Sequence, residues 1–147
     1  MPLLYQTATF HLLRNSLWGT EHFPEQYLSS KANKLFSEAI SHHLHPFQLL
    51  CCFHQEQRIL GLFYEDWSLT IDYGEATRLF FEQLQPAKGA GSIYITIQFL
   101  GSKDQTPFQL LSATYNTNNL HLFESIAKTI ARFTALPLEK VDLGYDV

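Results

Sequence analysis

Apolar and polar residues loosely alternate over residues 3–13, where Tyr5, Thr7, Thr9 and Phe10 favour an extended strand. Gly19 and Thr20 interrupt that pattern. From Pro24, apolar side chains recur at Leu28, Ala32, Leu35, Phe36, Ala39, Ile40 and Leu44, with Ser30, Lys34, Ser37, Glu38 and Ser41 opposite. That spacing predicts a helix with one buried stripe, ended by Pro46, whose ring disfavours helical geometry at His45. Residues 47–54 and 58–65 are apolar runs of strand length separated by Gln55-Glu56-Gln57, a predicted hairpin, and residues 68–73 form a third strand after a turn at Asp66. Asp72 is placed to cap a helix over residues 74–85, with Ala76, Leu79, Phe80 and Leu84 on one face. The Pro- and Gly-containing run 86–91 reads as a loop. Ile93, Tyr94, Ile95, Thr96, Ile97 and Phe99 mark a strand over 92–100, whose partner spans 108–115 across a polar connection at 101–107. Asn118 or Asn119 then caps a last helix that buries Phe123, Ile126, Ala127, Ile130 and Phe133 and carries Glu124, Lys128 and Arg132 on its outer side. Pro137 stops it, leaving a short acidic tail over 138–147.

This order of elements predicts an α+β fold: an antiparallel sheet of about five or six strands with three helices, in a two-layer sandwich. A length of 147 residues suits one domain, with residues 1–22 as an N-terminal strand extension. No internal repeat, low-complexity tract or long linker divides the chain.

Hydrophobic residues at 46% supply a core, and charged residues at 16% are too few to keep the chain disordered. Twelve Phe, seven Tyr and two Trp are more rings than usual, which fits either a β-rich core or an adhesive interface. Ten Lys and Arg against fourteen Asp and Glu give a net charge of -4 with no basic run, which argues against nucleic acid as a partner. The N-terminus lacks a positive leader, Gln6, Thr7, Thr9, His11 and Arg14 interrupt its apolar stretch, and no run approaches a membrane span. A cytoplasmic protein that makes no membrane contact is expected. Cys51 and Cys52 are adjacent and would point to opposite faces of a strand, so they form no ordinary disulfide, as in a reducing compartment.

Histidines at 42, 43 and 45 precede Cys51, Cys52 and His54, yet they do not offer the paired short spacings of a zinc site, and only Cys52 and His54 would share a face. The same two residues form a conceivable nucleophile and base, without the helix N-terminus or lysine that would stabilise a thiolate. Sequence motifs for a nucleophile elbow, a zinc protease, a phosphate loop or a dinucleotide fold are missing, so no catalytic residue, metal or cofactor is assigned. Glu65, Asp66, Asp72 and Glu75 cluster in sequence around the third predicted strand, where turn and capping roles explain each locally.

Three resemblances bear on function. Tyr94-Ile95-Thr96-Ile97-Gln98-Phe99-Leu100-Gly101 resembles the HxTLxFLG strand motif of the two-histidine phosphoesterases, with Tyr94 where that family has its reactive histidine. Residues 136–142 are similar to the opening of acyl-carrier domains, with no serine following to hold a prosthetic arm. The predicted order of helices and strands over residues 24–136 resembles the class I type III secretion chaperones, small acidic homodimers that hold an extended effector segment. Toxin-immunity and longin-like proteins also place helices on an antiparallel sheet. A protein-binding module of chaperone or adaptor type is therefore expected, holding a protein segment on an apolar or edge-strand surface. Its partner would be another protein or a second copy, with Glu65, Asp66, Asp72, Glu75 and Tyr94 as candidate contacts. An immunity protein that blocks a basic site with these carboxylates is one alternative. A small enzyme or ligand-binding domain with a sheet–helix pocket at Cys52, His54 or Tyr94 is another.

Overall fold

Strand-forming runs account for most of the chain, and in a computed structural model describing residues 5–12, 17–20, 22–101 and 106–146 they become nine strands, joined by three α-helices. In chain order these are β1 (Gln6–His11), β2 (Trp18–Gly19), α1 (Ala32–Leu35), α2 (Ser37–His43), β3 (Gln48–His54), β4 (Ile59–Tyr64) and β5 (Trp67–Asp72). There follow β6 (Ala76–Gln85), β7 (Ser92–Phe99), β8 (Phe108–Thr114), α3 (Thr117–Thr134) and β9 (Leu138–Tyr145). The fold class is α+β, with the strands divided between two sheets.

The first sheet has the order β1-β3-β4-β5, antiparallel throughout. Its two central strands read as nearly unbroken apolar runs because both faces are covered. Leu49, Cys51, Phe53, Leu60 and Leu62 enter the main core, while Leu50, Cys52, Ile59 and Phe63 pack with Phe36 and Ala39 under α1 and α2. The second sheet has the order β2-β8-β7-β6-β9, antiparallel except for β6 with β9. Leu79, Phe81, Ile93, Ile95, Ile97, Leu111 and Ala113 form its inner face.

Helix α3 closes the space between the sheets. Its i, i+3, i+4 stripe of Phe123, Ile126, Ala127 and Ile130 is fully buried, and the helix touches β6 and β7 of one sheet and β1 and β3 of the other. Phe123, Ile126 and Ile130 each contribute about 1.5–3 kcal/mol by leaving water. On the far side the sheets meet where the Trp67 indole N–H donates to the carbonyl of Thr20 at 2.9 Å. Gly19 makes that approach possible, since a Cβ there would overlap the Trp67 ring. Six of the twelve phenylalanines are buried and only Phe47 is exposed, so most of the aromatic excess is core. Tyr27 stacks on Phe99 with ring centroids 3.7 Å apart, and Phe23 meets both Phe99 and Phe108 edge-on.

Several expectations are corrected. A single helix over 24–44 gives way to a short 3-10 turn at Glu25–Tyr27, then α1 and α2. Leu28 bridges to Ile71, and the Ser29 N–H donates to the carbonyl of Thr70 at 2.9 Å, so this stretch covers the edge of β5 instead of coiling. The helix expected over 74–85 is β6, the longest strand described, and the 138–147 tail is β9. With β6 in place of a helix, the element order that carries the resemblance to secretion chaperones is not the one the chain adopts. One sheet of five or six strands becomes two sheets of four and five. Asn116, not Asn118 or Asn119, caps α3, accepting from the backbone N–H of Asn119 at 2.8 Å. The N-terminal strand pairs with β3 inside the fold. Residues 3, 4 and 13 of that predicted strand, residues 102–105 of the predicted connection and residue 147 of the tail lie outside the described residues.

Candidate functional site

The four candidate carboxylates do not form one cluster. Glu65 and Asp66 make the tight turn between β4 and β5, whereas Asp72 ends β5 and Glu75 lies in the turn before β6. A six-residue strand separates the pairs by roughly 17 Å. Asp72 accepts from the backbone N–H of Gly74 at 2.8 Å, a local turn bond in place of the helix cap expected of it. Asp72 and Glu75 line a groove of about 430 Å³ with Gln26, Tyr27, Leu28 and Gly74. Glu65 and Asp66 line another, of about 390 Å³, with Leu17, Trp18, Gly19, Tyr64 and Trp67.

Trp18 connects that second groove to Tyr94. The strand registers set Trp18, Ser112, Tyr94, Glu82 and Val141 in one row across β2, β8, β7, β6 and β9. Directly paired residues point to the same side of a sheet, and the next row, with Leu111, Ile95 and Phe81, is buried inside. The row from Trp18 to Val141 therefore lies on the outer face and spans about 19 Å. Phe80 and Thr96 pair beside it, and Leu143 and Tyr145 on β9 are exposed. Helices α1 and α2 pack on the first sheet and α3 on the inner face of the second, so no described helix covers this surface. Trp18 is 51% exposed. The Thr96 hydroxyl is buried and has no hydrogen-bond partner among the described residues.

Glu65 and Asp66 thus border one groove with Trp18, Asp72 and Glu75 border another, and Tyr94 lines neither. Trp18 was not among the expected contacts. Its strand is only two residues long, and the nearest hint in the sequence is Gly19, whose missing side chain matters only once Trp67 is in place.

Cys52 and His54 lie on β3 of the first sheet and Tyr94 on β7 of the second. Cys52 is buried under α1 and α2, and desolvation pushes its thiol up to about 12, which keeps it protonated at neutral pH. Cys51 is buried on the opposite face, where loss of water raises its thiol further. His54 accepts from the backbone N–H of Gln57 at 3.1 Å, a turn bond in the hairpin, and Tyr94 lies on the other sheet. Four surface grooves of about 200 to 500 Å³ border the described residues, and none of the four is lined by Cys52, His54 or Tyr94. His42 and His43 are exposed on the last turn of α2. Among the described residues, no three His, Cys, Asp or Glu side chains converge as a metal site, and no helix is long and apolar enough to cross a membrane. No protein-family model, no curated protein and no solved structure matches the chain.

Proposed function

We propose that the chain is a non-catalytic protein-binding module of adaptor or chaperone type that holds its partner on the outer face of the second sheet. The observation that carries this reading is the row Trp18, Ser112, Tyr94, Glu82 and Val141, two aromatic rings among polar neighbours on a sheet face without a described helix above it. Tryptophan and tyrosine bury much area for little lost side-chain freedom, which suits them to anchor an interface. Glu65 and Asp66 flank Trp18, Glu82 lies within the row, and the chain carries a net charge of -4. A protein surface with apolar pockets for Trp18 and Tyr94 and basic groups beside them is the complementary partner. The deeply buried, protonated thiols support binding over thiol catalysis.

Trp18→Glu and Tyr94→Glu are the variants that test it, combined in one chain and checked for retained fold by circular dichroism. Wild-type protein isolated from its native source should carry a stoichiometric protein partner that the double variant loses. Light scattering tells whether that partner is a second copy. A partner that survives the double substitution, or wild-type protein that carries none, refutes the assignment of this face.

A further inference from the structure

Loop 86–91 folds around a carboxylate. The backbone N–H groups of Ala87, Lys88 and Gly89 donate to Asp146 Oδ1 at 2.6, 3.1 and 3.1 Å, and that of Gly91 donates to Asp146 Oδ2 at 2.9 Å. Amides converging in this way form a concave anion site. The loop sequence is suited to it, because a Cβ on Gly89 would stand 2.6 Å from Asp146 Oδ2 and Gly91 takes a positive φ of 74° that favours glycine.

Asp146 follows directly on β9, which is held to β6 by a main-chain ladder and a Gln85–Asp142 side-chain bond but buries little side-chain area. No residue of this strand is buried, and Leu138 at its start is the one packed against the main core. Glu139 pairs with Arg78 at 2.9 Å and Lys140 with Glu124 at 3.1 Å, in exposed bridges of small worth. Near its end the ladder with β6 shifts register at Gly144, which has φ 84°. The Asp146 clamp and the Asp146 N–H bond to the Gln85 carbonyl at 2.9 Å fasten that end. Strand β6 is the firmer surface, with Leu79 and Phe81 buried and β7 on its other side.

We propose that loop 86–91 is the carboxylate pocket of a strand-exchange site, with β9 as its resident occupant. An extended protein segment takes the place of β9, running parallel to β6 and carrying an acidic side chain where Asp146 sits. Main-chain bonds to β6 supply affinity and the amide pocket selects for the acid. This inference rests on the chain being a protein-binding module and specifies the kind of segment it accepts.

The test uses the full chain as wild type, Asp146→Asn and Gly89→Ala, with a labelled synthetic peptide of sequence 138–146. In both variants the amides of β9 should exchange hydrogen at least tenfold faster than in wild type, while those of β3, β4 and α3 keep their protection. The peptide should bind Asp146→Asn by fluorescence anisotropy, and a peptide with Asn in place of its acid should bind at least tenfold more weakly. Gly89→Ala leaves the carboxylate but fills its seat, so it reports on the clamp even where the other variant folds poorly. Unchanged β9 exchange in Gly89→Ala, or the two peptides behaving alike, overturns the inference. Because only this chain and its own strand are involved, that failure leaves binding at the Trp18–Tyr94 face standing, and the loss of an outer-face partner leaves strand exchange standing.

Discussion

Asp146 and Glu124 are carboxyl groups held below the usual carboxylate range by hydrogen bonds: Asp146 chiefly by the amide of Ala87, Glu124 chiefly by Lys128 and then Lys140. A carboxyl group lowered on folding adds stability in full above its unfolded value of about 4, and loses it as pH falls from there through the lower folded value. Acidification should therefore loosen β9 first, since both groups fasten it, and hydrogen exchange followed from pH 6 to pH 3 should show its amides losing protection before those of β3. Cys51 and Cys52 set the opposite expectation for thiol chemistry. Neither should react with iodoacetamide in native protein at pH 7.5, and both should react in guanidinium, as read by mass spectrometry. Prompt native labelling of Cys52 would mean that α1 and α2 do not cover it. Asn116→Ala removes the α3 cap and should destabilise the protein by about 1 kcal/mol in urea unfolding.

Ala135 ends α3 in the left-handed region, φ 59° and ψ 24°, where glycine is the preferred residue. Ala135→Gly should raise stability by about 0.5–1 kcal/mol in the same measurement. The elements also explain what could be read from the chain. Strands β3 and β4 were legible as apolar runs of strand length, and β7 by its β-branched and aromatic residues, each bounded by turns, with β5 and β8 as their neighbours. Strand β6 was not: Ala76, Leu79, Phe80 and Leu84 fit helical spacing, and its Arg, Leu, Glu and Gln are good helix formers. Pairing with β7 on one side and β9 on the other overrides that preference. In β9, Lys140 faces Glu124 of α3 and Asp142 accepts from Gln85, so charge occupies inner positions of an edge strand and hides its alternation. Glu65 and Asp66 were legible as turn carboxylates, but their groove with Trp18, and the register that sets Trp18 in one row with Tyr94, depend on the β2–β8 pairing, which sequence spacing does not contain.

At the scale of the whole molecule, α3 is the shared wall of both sheets. Phe123→Ala should lower stability by about 3–5 kcal/mol, a large part of the roughly 5–15 kcal/mol typical of a domain, and both sheets should melt together in one transition. Separate melting of β3 and β7, seen by residue-resolved exchange, would mean that the helix does not unite them. The parallel pairing of β6 with β9 also bears on how the chain is made. A ribosome completes β6 at residue 85, but the strand that will shield its flank is not finished until residue 145. At synthesis rates of roughly 5–20 residues per second, that interval lasts seconds. During that time a newborn polypeptide presents the open flank of residues 79–85 to its crowded surroundings, so an early escort is most needed while residues 86–145 are still being translated.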